Sequence, residues 1–376
     1  TVTSSADKKS RYLINSARRH NPRAKIIVTG CLAELEFDRL NDLSEGLHII
    51  RNRDKGRLVY LLGLLNDLSA NTNSITDFSD HSRAFLKIQD GCNNFCSYCR
   101  VPLARGRSRS RDFNSVVQEA TVLAHNGFKE VVLTGICLGD FGRDLFPKRS
   151  LPDLIMALEK IPELLRIRLS SIEARDVSDE LIGTLAVSDK LCPHLHIPIQ
   201  SGDNKILRKM NRKITSAYIL RLVGKIKEAV PRVAITTDIM VGFPGQRANN
   251  FDNTVELIKK IKPLKVHVFP FSARPGTKAF DFSETVSHCD IQDRISRINK
   301  VAEECSQAYK DRFLGKSLPV LVEDRLSDGK SWRGYTDNYI DVMFKSGKKI
   351  HNRLVIVELK KLFGEQVLGR YKSEYA

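Results

Sequence analysis

No apolar run in this chain of 376 residues reaches the ~20 residues that an α-helix needs to cross a bilayer. The longest, around Leu58–Leu65, is too short and is broken by Gly63. The opening Thr1-Val2-Thr3-Ser4-Ser5-Ala6-Asp7 lacks the basic and apolar pattern of a secretion signal. Glycine and proline, at 22 and 13, are not in excess, which excludes collagen-like and low-complexity chains. A disulfide scaffold is excluded as well. Eight cysteines over this length, three of them crowded into one loop, suit a reducing compartment and metal ligation. The cytoplasm is the expected location, with no membrane as a partner. What remains is a globular chain long enough for two or three domains.

Acids are missing where bases cluster. The formal net charge is +17, and Arg100, Arg105, Arg107, Arg109 and Arg111 follow one another with no acid until Asp112. A second basic group is Lys8, Lys9, Arg11, Arg18, Arg19, Arg23 and Lys25. RNA would bind such surfaces through its phosphates, with salt-sensitive affinity. A solvated basic face is the plainer alternative for the chain as a whole. The arginines at 105, 107 and 109 are read as a functional surface.

Just before those arginines stands Cys92-Asn-Asn-Phe-Cys96-Ser-Tyr-Cys99, spaced C-x3-C-x2-C. Three thiolates this close can hold an iron–sulfur cluster, whereas a four-iron cluster normally takes four protein ligands. Three ligands leave one iron open, and an open metal position is where a substrate or cofactor binds. The spacing is not the paired C-x2-C of a zinc ribbon, although a structural loop of zinc-bound or unligated cysteines is the alternative.

Lys25–Thr29 reads as a buried strand ending at Gly30-Cys31, preceded by a helix over Asp7–His20 with Tyr12, Leu13 and Ala17 on one side. This is a fragment of a small α/β unit. Polar, turn-rich Asn66–Ser79 reads as a linker. Strands are expected at Ala84–Gln89, Glu130–Thr134, Arg166–Ser170, His194–Ile199, Val233–Met240 and Lys265–Phe269. Helices are expected near Ser115–Asn126, Leu151–Lys160, Asp179–Ala186, Ser216–Ala229 and Asn253–Ile261. Six such repeats imply an α/β fold, a parallel sheet curled into a partial (β/α)6 barrel with its chemistry at the carboxyl ends of the strands. Ile291–Phe313 reads as a long amphipathic helix leaving it. After Ser317, short β-type runs at Leu318–Val322, Tyr339–Phe344 and Leu354–Leu359 are separated by glycine turns, as in a small five-stranded barrel. There Trp332, Tyr335 and Tyr339, interleaved with Arg333, Lys345, Lys348 and Lys349, suit base stacking and phosphate contact, or else barrel core.

Over nearly its whole length the chain resembles the methylthiotransferase branch of the radical S-adenosylmethionine (SAM) enzymes. The segments that carry the resemblance are Phe85–Cys92, Val101-Pro102, Ala104–Arg107, Leu133–Ile136, Arg168–Glu173, His196–Gly202, Met210–Arg212, Asp238–Gly245, Phe271-Ser272 and Arg274–Thr277. The resemblance implies a radical-SAM barrel over 81–313 and an RNA-binding TRAM-like barrel over 314–376. The N-terminal methylthiotransferase domain is then a fragment over 1–68, and 69–80 the linker. Gly334–Tyr339, and Leu133–Ile136 with Leu138-Gly139-Asp140, look most like the enzymes that modify N6-threonylcarbamoyladenosine beside the tRNA anticodon. The branches acting on isopentenyladenosine or on a ribosomal protein aspartate are the alternatives. An alternative of another class is a non-catalytic RNA-binding protein with a structural metal loop.

The resemblance further implies that Cys92, Cys96 and Cys99 hold a 4Fe-4S cluster whose open iron takes S-adenosyl-L-methionine. Tyr98 would pack on the cluster and the adenine, or serve as a core aromatic. Gly135 would let the backbone approach the methionine amino group. Ser171, Glu173, Gln200 and Arg212 would bind the cofactor's ribose and carboxylate, or stabilise the barrel rim. Arg105, Arg107, Arg109, Arg333 and Tyr335 would meet the tRNA anticodon stem-loop. An electron donor such as flavodoxin or ferredoxin and a sulfur donor complete the expected partners. A second 4Fe-4S cluster would take Cys31 and two more cysteines, expected just before Thr1 in a longer form; the chain as given is read as N-terminally truncated. Gln246 stands where the family commonly has an acid. Cys137, Cys192, Cys289 and Cys305 are read as inert buried thiols, and His194 and His196 as core or rim residues.

Overall fold

The computed structural model describes residues 4–42, 47–58 and 81–375. The expected linker, the apolar run beyond Leu58 and the Thr1-Val2-Thr3 start lie outside these residues. The described residues form two units. One holds those before 59 together with 90–108 and 272–283, and the other holds 81–89, 109–271 and 284–375. By its contacts the cysteine loop groups with the N-terminal elements. Asn52 Nδ2 donates to the Ala104 carbonyl at 3.2 Å, and Arg274 pairs with Asp7.

In the first unit, helix α1 (Ser4–His20) precedes strand β1 (Ile26–Thr29), helices α2 (Cys31–Leu35) and α3 (Phe37–Asp42), and strand β2 (Leu47–Ile50). The two strands pair in parallel from Ile26↔Leu47 to Thr29↔Ile50. Val28, Leu32, Ala33 and Leu40 form their core, with Ile14, Ile26, Leu47 and Ile49 packed on it. The expected inner face of α1 is wrong, because Tyr12 and Leu13 are 62% and 55% exposed. The helix instead turns Asp7, Arg11 and Ile14 inward. Both charged residues there have ion-pair partners, Arg274 for Asp7 and Glu36 for Arg11, so a polar stripe can be the covered one. Helix α4 (Val101–Arg105) follows the cysteine loop.

In the second unit, strand β3 (Arg83–Lys87) alternates with helices through α5 (Phe113–His125), β4 (Glu130–Thr134), α6 (Leu151–Glu159), β5 (Arg166–Leu169), α7 (Asp179–Val187) and β6 (His194–His196). It continues with α8 (Asn204–Lys209), α9 (Ser216–Ala229), β7 (Ala234–Val241), α10 (Ala248–Ile261) and β8 (Lys265–Pro270). Strands β3-β4-β5 and β6-β7-β8 form parallel sheets in chain order. Isolated bridges Ile167↔Leu191 and Ser171↔His196 join them. Period-2 alternation sends Val131, Leu133, Ile167, Leu169, Leu195 and Ile235 into the core shared with the helices. It leaves Glu130, Arg166, Arg168, His194 and His196 on the other face. Each strand was expected within a few residues of its observed ends; the short helix α8 was missed.

Helix α11 (His288–Asp311) leads to β9 (Ser317–Arg325), β10 (Ser331–Thr336), β11 (Asp341–Lys345), β12 (Leu354–Phe363) and β13 (Gln366–Glu374). These five close into a barrel in the order β9-β10-β11-β13-β12. At Gly334 any Cβ would lie 2.1 Å from the Leu321 carbonyl oxygen, so the strand crossing requires glycine there. This small barrel seats on the amino ends of β4 and β5. Arg166 donates to the carbonyls of Tyr335 at 3.1 Å and Pro319 at 2.7 Å. Arg168 reaches those of Asp337 at 3.0 Å and Thr336 at 3.3 Å. Both buried guanidiniums face Glu130, at 3.6 and 2.6 Å.

Candidate active site

In the first unit the cysteine loop is fastened at both ends. Gly91 has φ +75°, and a Cβ there would lie 2.0 Å from the Arg107 carbonyl oxygen; glycine is needed on both counts. Cys92 N–H donates to the Gly106 carbonyl at 3.1 Å, and Ala279 N–H to that of Ser97 at 2.8 Å. Cys92, Cys96 and Cys99 are half-buried and none is in a disulfide. The backbone N–H groups of Asn94 and Val101 point at the sulfurs of Cys92 and Cys99, at 3.4 and 3.5 Å. The thiolate is the form that ligates iron. Tyr98 lies half-buried between the last two cysteines.

Cys31 opens α2, and its Sγ is 3.2 Å from Arg105 Nε. Arg105 also reaches Asp90 at 3.6 Å, so the guanidinium expected to meet RNA is turned onto a sulfur and a carboxylate. Arg107 is exposed above the Phe95 ring, 4.6 Å from its centroid. In the other unit, Arg109 is exposed as well.

The second unit gathers Gly135, Ser171, Glu173, Gln200 and Arg212 at or beyond the carboxyl ends of β4 to β6. A side chain at Gly135 would crowd Gln89, whose Oε1 sits 3.0 Å from the Cβ position. That oxygen accepts from Cys137 N–H at 2.9 Å. Gln89, the last residue of the expected strand Ala84–Gln89, is a supporting residue to which sequence reasoning assigned no role. Ser171 bridges His196 across the two sheets. Arg212 is buried and holds Glu173 with two nitrogens, each at 2.8 Å, while also donating to the Pro198 carbonyl. Arg212 thus positions Glu173, the more exposed partner. Gln200 is buried with φ +71°, and its Oε1 has no hydrogen-bond partner among the described residues. An orphaned acceptor and a half-buried carboxylate on the same rim fit a ligand that brings hydroxyl or amino donors.

Replacing Glu173 by Gln keeps the volume and removes the charge. Affinity for S-adenosylmethionine, measured by titration without RNA, should fall about tenfold, the weight of one charge-assisted hydrogen bond. Unchanged affinity would return the pair to a rim-stabilising role.

Gln246 is buried. Its Oε1 accepts from Gly242 N–H at 2.8 Å and Arg294 at 3.1 Å, so the amide oxygen does the accepting that a carboxylate would do. One thiol expectation needs correction. Cys289 is exposed, since it lies in the first turn of an amphipathic helix. Cys137 is buried, and its ligand atom and those of Asp140 and Asp176 lie within 4.8 Å of one another. Cys192 fits the expectation; burial pushes its thiol up to about 12. His194 is buried against the Tyr339 ring, with centroids 4.4 Å apart. Burial first, then Arg168, holds it neutral at pH 7.

On the small barrel, Trp332 is core. Arg333 is engaged by Asp341 at 2.6 Å and by the Tyr335 hydroxyl at 3.0 Å. Tyr335 and Tyr339 line a cavity of about 480 Å³ with His267 and Lys310. These residues sit toward the amino ends of the strands, opposite Gly135 and Glu173.

The family model described as the radical SAM superfamily matches residues 86–258, and the class is therefore a radical SAM enzyme. The chain is 36% identical over 379 residues to the threonylcarbamoyladenosine tRNA methylthiotransferase MtaB of Bacillus subtilis (strain 168), covering 96% of this chain and 84% of that protein. It is 38% identical over 301 residues to the tRNA-2-methylthio-N(6)-dimethylallyladenosine synthase of Clostridium tetani (strain Massachusetts / E88), covering 77% and 66%. Among solved structures, the cobalamin-dependent radical enzyme OxsB with S-adenosylmethionine bound shares the fold, with a TM-score of 0.51, 12% identity, and coverage of 79% of this chain and 46% of that one. The chain belongs to the tRNA methylthiotransferase family of radical SAM enzymes. That family brings a 4Fe-4S cluster and S-adenosylmethionine, and the thiolate loop fits the cluster. No helix among the described residues is long and apolar enough to cross a membrane.

Proposed function

We propose that this protein adds a methylthio group to carbon 2 of N6-threonylcarbamoyladenosine beside the tRNA anticodon. The observation that carries the reading is the alignment with a threonylcarbamoyladenosine methylthiotransferase along 96% of the chain. The dimethylallyladenosine relative aligns along 77%.

When bound, the cluster and S-adenosylmethionine supply hydrogen-abstracting radical chemistry. That suits a carbon whose C–H bond no side-chain base deprotonates usefully. Cys92, Cys96 and Cys99 are the cluster ligands, with the amides of Asn94 and Val101 directed at the sulfurs of Cys92 and Cys99. Tyr98 packs beside them. Glu173, aimed by Arg212, and Gln200 accept hydrogen bonds from the cofactor, Ser171 lines the same rim, and Gly135 allows close backbone approach. Cys31 is one ligand of a second cluster. Arg107 and Arg109 are the principal phosphate contacts, with Arg105, Arg333 and Tyr335 as supporting positions. The domains run over 1–68, 81–313 and 314–376, joined by 69–80. A flavodoxin- or ferredoxin-type donor supplies electrons, a separate donor supplies sulfur, and the reaction takes place in the cytoplasm.

Mass spectrometry of tRNA nucleosides tests the reading. Cells lacking the protein should accumulate N6-threonylcarbamoyladenosine and lose its 2-methylthio derivative. Loss of the 2-methylthio isopentenyl nucleoside instead would move the enzyme to the neighbouring branch.

A further inference from the structure

The loop between β4 and α6, Phe141–Ser150, carries an aromatic ring that folding does not use. Phe146 is 101% exposed, more than any other large apolar side chain among the described residues. Burial of a ring this size is among the larger hydrophobic gains open to a loop, and this loop forgoes it. The backbone around the ring is nevertheless tied down. Gly142 has φ +85°, and a Cβ there would lie 2.1 Å from the Arg149 carbonyl oxygen. Gly142 N–H donates to Ser110 Oγ at 2.8 Å, and Asp144 accepts from Ser110 N–H at 2.9 Å and from its hydroxyl at 2.5 Å. Arg143 spans two carboxylates, Asp140 at 2.7 Å and Asp176 at 3.0 Å. Arg149 lies over the Phe113 ring, 5.0 Å from its centroid. The result is a fastened knob with a bare phenyl ring at its tip, flanked by Arg143, Lys148 and Arg149.

We propose that Phe146 stacks on an unpaired base of the RNA substrate while Lys148 and its basic neighbours meet the adjoining phosphates. A π-face beside cations is the combination that binds single-stranded nucleic acid. The loop springs from the carboxyl end of β4, the end that carries Gly135, and its Asp144 holds Ser110, next to exposed Arg109. The positive charge matches RNA rather than an acid-poor apolar partner. The proposal rests on the tRNA reading above and names the contact that would seat the anticodon loop.

Fluorescence anisotropy with an anticodon stem-loop RNA containing N6-threonylcarbamoyladenosine tests it. Phe146→Ala should weaken binding about tenfold, with an unchanged salt slope, because a stack releases no counterions. Phe146→Leu should be as weak, and Phe146→Tyr close to wild type. Lys148→Ala should lower the salt slope by about one. Phe146→Trp would place an exposed indole in a chain whose one tryptophan, Trp332, is buried, and RNA should quench it. Melting temperatures should match wild type, since the ring packs on none of the described residues. Binding by Phe146→Ala within about twofold of wild type, or full rescue by leucine, would overturn the stacking role. Failure of the wild type to bind this RNA at all would overturn the tRNA reading with it.

Discussion

Alanine at Cys92, Cys96 or Cys99 should strip the protein of its iron and abolish reductive cleavage of S-adenosylmethionine. Anaerobically reconstituted wild type should hold about four irons on this loop, and each single variant well under one. The effect is all-or-none because three ligands already leave one iron open; losing another leaves two irons without protein sulfur. The backbone should not notice. Apart from the weak Asn94 and Val101 contacts to sulfur, the loop is fastened at its ends by hydrogen bonds that use no sulfur, Cys92 N–H to the Gly106 carbonyl at 3.1 Å and Ala279 N–H to that of Ser97 at 2.8 Å. Circular dichroism and the melting temperature of the iron-free variants should therefore match those of iron-free wild type. Iron analysis, the cluster's visible absorption and 5′-deoxyadenosine formation give three separate readouts. A triple variant that kept its iron would refute the ligand assignment.

The triple-cysteine loop and the six barrel strands were legible in the sequence because both are local signals. Spacing gives the first, and apolar runs ending at glycine or serine give the second. Glu130–Thr134 was expected and observed with the same ends. The inner face of α1 was misread because a hydrophobic pattern cannot register that Asp7 and Arg11 are covered by Arg274 and Glu36, residues distant in the chain. Helix α8 escaped notice for its shortness, although Asp203 marks its start by accepting from Lys205 N–H at 2.9 Å and Ile206 N–H at 3.0 Å. The pairing of Glu173 with Arg212 and the orphaned Oε1 of Gln200 depend on strand register and a left-handed backbone. Neither leaves a mark at the level of residue type. The Phe146 loop drew no expectation, because only its full exposure separates this ring from an ordinary core phenylalanine.

The seat of the small barrel supplies the other large effect. Glu130→Gln should destabilise the protein by about 3–5 kcal/mol, as breaking a buried ion pair does when the partners stay behind. Two guanidiniums are left behind here, since Arg166 and Arg168 are both buried and both turn to this carboxylate. Their hydrogen bonds to the carbonyls of Pro319, Tyr335, Thr336 and Asp337 remain, so the small barrel should stay docked but loosened. A drop in melting temperature on the order of 10 °C is expected. The pH dependence gives the sign. Burial alone would raise the Glu130 carboxyl, but Arg168, Arg166 and Arg83 outweigh it and hold it below its ordinary value. A carboxylate depressed in the folded state adds stability that is fully present above its unfolded value, about 4.3. That stability is lost as pH falls through the lower folded value. Glu130→Gln lacks this contribution at every pH. The stability gap between wild type and variant should therefore be constant near neutrality and close as pH drops below about 4. Urea unfolding at several pH values measures it directly. A gap that is absent at pH 7, or that widens in acid, would show that Glu130 does not hold the two arginines in the folded state.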